Sequence, residues 1–207
     1  MGRTIGGKTV SKGLVLALDA ANKRSYPGSG TSWIDLSGNN NTGTLTNGPT
    51  FSAANLGNIV FDGTNDYVTG NISNLSVYTV SIFMKILALK IGGGLFGAGT
   101  EVVFQMGGAN VWQFNSAFTA YAPTVGQWYY TVGVQTASTQ TLYINNTQVA
   151  TASATTSLGT TGYVLGRRNN GLVYVNYQLA TVSVHSRALS TTEMLQNYNL
   201  LKNRFGL

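Results

Sequence analysis

Between Tyr78 and Ile86 the chain alternates with a period of two. Tyr78, Val80, Ile82, Met84 and Ile86 fall on one side, and Thr79, Ser81, Phe83 and Lys85 on the other. An extended strand puts every second side chain on one face, so this run reads as a half-buried strand. Phe83, on the otherwise polar side, asks for a second apolar contact there. Trp128, Tyr130, Val132 and Val134 repeat the pattern. Further strand signals sit at 14–18, 95–96, 102–104, 111–114, 142–144, 148–150, 163–165, 172–177 and 179–185. Gly and Asn turns separate them, with Pro27-Gly28, Gly38-Asn39-Asn40-Asn41 and the two-residue turn Asn145-Asn146 as the plainest. Many short strands with frequent turns predict an all-β sandwich or barrel.

Helical periodicity is confined to the end. Ser190 with Glu193 three residues on forms a capping box. Met194, Tyr198, Leu201 and Phe205 follow on one helical face, and Gly206 is a stop signal. A helix at about 190–205 is expected to dock on the sandwich. Residues 1–12 are Gly-rich and basic and read as an arm, which leaves 13–207 as one domain.

Hydrophobic residues make up 43% of the 207, enough for a sizeable core, while charged residues are only 9%. Thr, Ser, Asn, Gln and Gly must therefore supply the polar surface. The net charge of +6 reflects few acids rather than many bases. Arg167-Arg168 and Lys23-Arg24 are isolated doublets and read as solvated surface. No basic stripe with interleaved aromatics suggests a nucleic-acid partner. There is no Cys, which excludes disulfides. No apolar run approaches the roughly 18 residues of a membrane helix. Leu14–Leu18 runs into Asp19 without a cleavage site, so a first strand is expected rather than a secretory leader.

Several segments, taken in order, resemble the laminin G-like, concanavalin A-like lectin/glucanase family. They are Gly13-Leu14-Val15, Asp35-Leu36-Ser37-Gly38-Asn39 with Gly43-Thr44-Leu45, and Phe61-Asp62-Gly63 with Asp66-Tyr67-Val68. Thr79-Val80-Ser81-Ile82, Gln127-Trp128-Tyr129, Leu142-Tyr143-Ile144 and Arg187-Ala188-Leu189-Ser190 with Glu193 follow. The resemblance implies a jelly-roll β-sandwich with a short C-terminal helix. Leu18-Asp19-Ala20-Ala21-Asn22 and Gln196-Asn197-Tyr198-Asn199, with Lys202 to Gly206, look like the version of this domain in structural proteins of tailed bacteriophages. That version implies a virion protein, with capsid decoration or cement as its role. Its implied partners are the major capsid protein or other virion proteins, and further copies of itself. Arg3, Lys8 and Lys12 on the arm are the partner-binding candidates. The alternative is a carbohydrate-binding lectin-like module, whether cellular or a tail or fibre component.

Many family members carry Asp-Glu before the closing strand, where a carboxylate helps hold a structural calcium. Here Ala180 and Thr181 stand in those places, and Asp19 alone remains as a candidate ligand. No cofactor is expected. The glucanases of the family use paired carboxylates on one strand face. The six acids here, Asp19, Asp35, Asp62, Asp66, Glu101 and Glu193, show no such spacing. Asp35, Asp62 and Asp66 suit turns and Glu193 suits the helix cap, so no enzymatic activity is expected. His185 has no second His or Cys with which to share a metal. For sugar stacking the candidates are Trp33, Trp112, Tyr121, Tyr174 and Tyr177, with Tyr174 and Asn176 on one strand face. Trp128 reads as core.

Overall fold

The computed structural model describes residues 8–99, 101–153, 156–159, 162–168 and 173–207, with Glu101 and Val102 described by backbone alone. Eight strands come first: β1 (Leu14–Asp19), β2 (Ser32–Trp33), β3 (Gly43–Thr46), β4 (Thr50–Ser52), β5 (Asn58–Asp62), β6 (Tyr67–Gly70), β7 (Tyr78–Ile86) and β8 (Gly94–Ala98). Then follow β9 (Glu101–Met106), β10 (Trp112–Phe114), β11 (Ala117–Phe118), β12 (Trp128–Gln135), β13 (Gln140–Ile144), β14 (Thr147–Ala152), β15 (Tyr163–Leu165) and β16 (Asn176–His185). The helix α1 (Thr191–Leu201) leads into a 3-10 turn at Lys202–Arg204.

All pairings between these strands are antiparallel, and they build two sheets. The first runs β14-β13-β12-β7-β16-β5-β4. Strand β1 shares one edge of β16 with β5, taking its C-terminal half. The second sheet runs β11-β10-β9-β8-β15-β6-β3-β2. Leu16, Phe61, Val80, Ile82, Phe96, Phe104, Phe114 and Tyr177 fill the space between them. The fold is thus an all-β sandwich with one C-terminal helix, as expected. Within the core, β12 passes so close to the second sheet that a Cβ on Gly133 would overlap the Phe114 ring.

The turns follow from their residues. Asn145 and Asn146 both take positive φ (49° and 67°) in the hairpin joining β13 and β14. Asp35 ties the loop after β2 to β1. Its Oδ1 accepts from the backbone N–H of Ala17 at 2.8 Å and of Ser37 at 2.9 Å, and its Oδ2 from that of Asn41 at 3.0 Å.

A second apolar layer lies outside the first sheet. Phe83, Trp128, Tyr130, Val132 and Val134 point outward, and Met194, Phe205 and Val10 cover them. Phe83 stacks on Phe205 at 4.8 Å and on Tyr130 at 4.5 Å. Strand β7 is therefore buried on both faces rather than half-buried, and Phe83 has the second contact its position demanded. Ala180 is the extra residue of a β-bulge opposite β7, which lets Ala180 and Thr181 both face outward while Leu179 and Val182 face the core. The capping box forms: the Ser190 side chain accepts from the Glu193 N–H, and the Glu193 carboxylate accepts from that of Ser190. Helix α1 stops at Leu201, short of 205, and the 3-10 turn carries Phe205 onto the same face.

Residues 8–12 do not behave as a free arm. Val10 is buried; its N–H donates to Asn197 Oδ1 at 2.8 Å and its carbonyl meets His185 Nε2 at 3.0 Å. The carbonyls of Lys8 and Lys12 accept from Gln196 and Arg187. This segment is fastened to the chain's own helix and final strand, leaving the Lys8 and Lys12 side chains exposed. Arg3 lies outside the described residues.

Candidate functional site

Among the described residues no helix lies on the outer face of the second sheet, although β8 and β15 are buried throughout. Alternation puts Leu45, Val68, Leu165 and Phe96 in the core, so their neighbours face out. Paired residues form a row across four strands: Thr44 on β3, Thr69 on β6, Val164 on β15 and Gly97 on β8. Together with Thr42, Asn71 and Arg167, most of this row lines a polar groove of about 460 Å³. Gly70, Gly99 and Gly162 complete its wall. Gly162 has φ of 90°, and a Cβ there would meet the Gly70 carbonyl.

Arg167 supplies the groove's cation. Its guanidinium lies over the Tyr67 ring at 4.4 Å, and its Nε is buried with no protein partner among the described residues. Both Arg167 and Arg168 are half-buried, so this doublet is not the solvated surface that its sequence suggested. Tyr163 also borders the groove and donates its hydroxyl to the Asn41 carbonyl at 3.0 Å. Burial, helped by the Asp35 charge, pushes that phenol up, so it stays protonated. The groove thus offers hydroxyls, an amide and a guanidinium fork, the donors and acceptors that recognise hydroxyl-rich ligands.

Several sequence candidates are placed elsewhere. Trp112, Trp33 and Tyr177 are 0% exposed and belong to the core, so none presents a ring to a sugar. Their parity on the strands, with Trp112 and Phe114 both pointing inward, is the reason. Tyr121 is 48% exposed and follows β11, at the edge of the second sheet opposite β3. Tyr174 and Asn176 are both half-buried and flank buried Val175. Tyr174 bridges to Arg167, while Asn176 pairs with Asp62 in the first sheet, so the two stand at the crossing between sheets.

Asp19, the calcium candidate, is engaged within the protein. Its Oδ1 accepts from Arg204 Nη1 at 3.1 Å and from the Ala21 N–H at 3.0 Å. Its charge instead anchors the C-terminal turn. Among the described residues no three His, Cys, Asp or Glu side chains gather as a metal site.

The other described carboxylates also have structural work. Asp62 accepts from the Thr64 N–H, which holds its carboxyl low, and Asp66 accepts from the Asp62 N–H while burial pushes it up. Glu193 grips Arg187 through two bonds of 2.9 and 2.6 Å. That grip, with the Ser190 N–H, pulls its carboxyl down to about 2.

The sequence reading missed Thr42, Thr44, Thr69, Asn71 and Arg167. A signal was present in Thr42-x-Thr44-x-Thr46, whose period of two puts three hydroxyls on one face. What it lacked was any sign that β6 and β15 would lie alongside.

The fold is a two-sheet β-sandwich with a helix packed on one outer face and a polar groove at the other. The chain belongs to the concanavalin A-like lectin/glucanases superfamily: the Laminin_G_3 family model matches residues 62–194. No curated protein matches it. Among solved structures, it is similar to domain 4 of AbnA, an extracellular GH43 arabinanase of Geobacillus stearothermophilus, in complex with arabinotriose. The TM-score is 0.70 at 15% identity, covering 91% of this chain and 98% of that domain. Trypanosoma rangeli sialidase in complex with sialic acid matches at 0.68 and 15%, over 92% of this chain and 33% of the sialidase, so this chain spans about a third of that protein. The binding domain of Paraclostridial Mosquitocidal Protein 1 matches at 0.63 and 15%, over 90% of this chain and 52% of that one. At these identities the likeness is one of fold. Among the described residues no helix is long and apolar enough to cross a membrane.

Proposed function

We propose that this chain is a non-catalytic carbohydrate-binding module and that the groove on the second sheet is its site. The observation that carries the reading is a groove that gathers the Thr42, Thr44 and Thr69 hydroxyls, the Asn71 amide and Arg167 on a face over which no helix lies among the described residues. The arabinotriose held by the similar arabinanase domain supports a glycan as ligand. The structural engagement of five of the six carboxylates supports binding without hydrolysis.

A glycan array followed by calorimetry tests this. The purified chain is expected to bind a hydroxyl-rich oligosaccharide, with arabinotriose as the first probe, and to release no reducing ends from it. Arg167→Ala is expected to abolish binding without unfolding the domain. Undiminished binding by Arg167→Ala would move the site elsewhere, and no binding to any glycan would remove the reading.

A virion setting, with capsid decoration as its form, rests on the sequence resemblance at 18–22 and 196–206. It is compatible with glycan binding. Saturable binding to purified phage capsids by a chain that binds no glycan would make it the better reading.

A further inference from the structure

The outer face of the first sheet is sealed by aromatic rings over β12 but is polar over β16. Ser81 on β7 stands directly opposite Ser183 on β16, with Thr181 and His185 on the same strand. Between this strip, Asn197 and Leu201 of α1, and the Thr9–Val10 segment lies a cleft of about 250 Å³. It is on the opposite face of the sandwich from the groove described above, and the argument for it is independent of that reading.

Three residues that line this cleft each carry a buried polar atom with no protein hydrogen-bond partner among the described residues: Ser81 Oγ, Tyr130 Oη and His185 Nδ1. These residues are 4%, 2% and 1% exposed. Buried polar groups are rarely left without a protein or solvent partner, so these three call for one that enters from the cleft. Their chemistry differs. His185 Nε2 faces the Val10 carbonyl, which only accepts, so Nε2 carries the proton. Burial lowers the ring below its ordinary value and favours the neutral form; the Val10 carbonyl and Glu193 oppose that shift and Arg187 adds to it. Nδ1 is then an acceptor in need of a donor.

Burial pushes the Tyr130 phenol up to about 12, so it remains a donor. The Ser81 hydroxyl is near enough to oppose that shift, yet the two do not meet hydrogen-bond geometry. Asp19 is the one formally charged side chain of the lining, and Arg204 already pairs with it. The cleft therefore has no charge to offer an ion. Its apolar wall is supplied by Val10, Leu14, Phe83 and Leu201. The cleft, about 250 Å³, has room for a small ring.

We propose that this cleft binds a single neutral polyol or monosaccharide. One hydroxyl donates to His185 Nδ1, a second oxygen accepts from Tyr130, and the carbon face lies on the apolar wall.

His185 is the only histidine, so the imidazole nitrogen spectrum reports this cleft alone. The 15N-labelled chain would be titrated with glycerol, xylitol, arabinose and galactose while its Nδ1 resonance is followed. At least one probe is expected to shift Nδ1 saturably, toward the value of a hydrogen-bonded acceptor. Tyr130→Phe, which keeps the ring stack, is expected to weaken that probe about tenfold, the effect of one lost hydrogen bond. Ala17→Leu, which fills the cleft from β1, should erase the shift, and Arg167→Ala should leave it unchanged. A spectrum unmoved by all four probes, or moved only linearly, overturns the proposal and leaves solvent as the occupant. So does a shift that disappears in Arg167→Ala, because the other face would then be its source.

Discussion

The two outer faces of this sandwich obey one rule of alternation and come to opposite ends. On the first sheet the outward residues of β7 and β12 include Phe83, Trp128, Tyr130, Val132 and Val134, and the chain's own helix and C-terminal turn cover them. On the second sheet the outward residues include exposed or half-buried Thr44 and Thr69 beside Thr42, Asn71 and Arg167, with Val164 buried among them, and no helix of the described chain covers them. A face rich in aromatic rings demands a lid, because apolar area left in water costs about 25 cal/mol per Å². Hydroxyls make no such demand and can remain in water. Among the described residues the one α-helix packs on the aromatic face.

Matched substitutions on the two faces test that contrast. Phe83→Ala should be the most damaging, because it removes a ring stacked on both Tyr130 and Phe205. A loss of about 3–5 kcal/mol is expected by denaturant unfolding, and a loss under 1 would mean the helix is not held through that ring. Ser190→Ala removes the helix cap and should cost about 1 kcal/mol, read as a lower Tm.

Acid should act on the covered face in two steps. His185 is held neutral by burial, below its ordinary value of 6.5, so the unfolded chain takes up the proton first. Its contribution is whole above about pH 6.5 and is lost as pH falls toward the folded value. Glu193 is depressed from 4.5 to about 2, so its contribution is whole above 4.5 and is lost as pH falls through about 2. Thermal unfolding against pH should show both steps, and His185→Gln should show only the lower one. Smallest of all, Thr69→Ala on the open face should change stability by less than about 0.5 kcal/mol while weakening glycan binding. A large stability loss there would mean that the open face is structural after all.

Some features were legible from local residues. The span of β7, the Asn145-Asn146 hairpin, the Ser190–Glu193 cap and the apolar face of α1 each depend on neighbours a few positions away, and each forms as its residues indicate. The stacking candidates fared differently. Trp112 carries the same side chain whether its strand parity points it inward or outward, and it points inward. Asp19 looked available because its partner, Arg204, lies at the other end of the chain.

The sequence by itself determined that this chain makes short antiparallel strands, tight Asn and Gly turns and one capped C-terminal helix. Those outcomes rest on backbone preference and on periods of two and 3.6, which act over a few residues. Only the tertiary structure decided which face of each strand is inside and which sheet the helix covers. It alone brought Thr44, Thr69 and Val164 into one row, and Ser81, Tyr130 and His185 to one cleft. The physical reason is that a period of two defines two faces without saying which is buried. That choice is made by pairing between strands far apart in the chain.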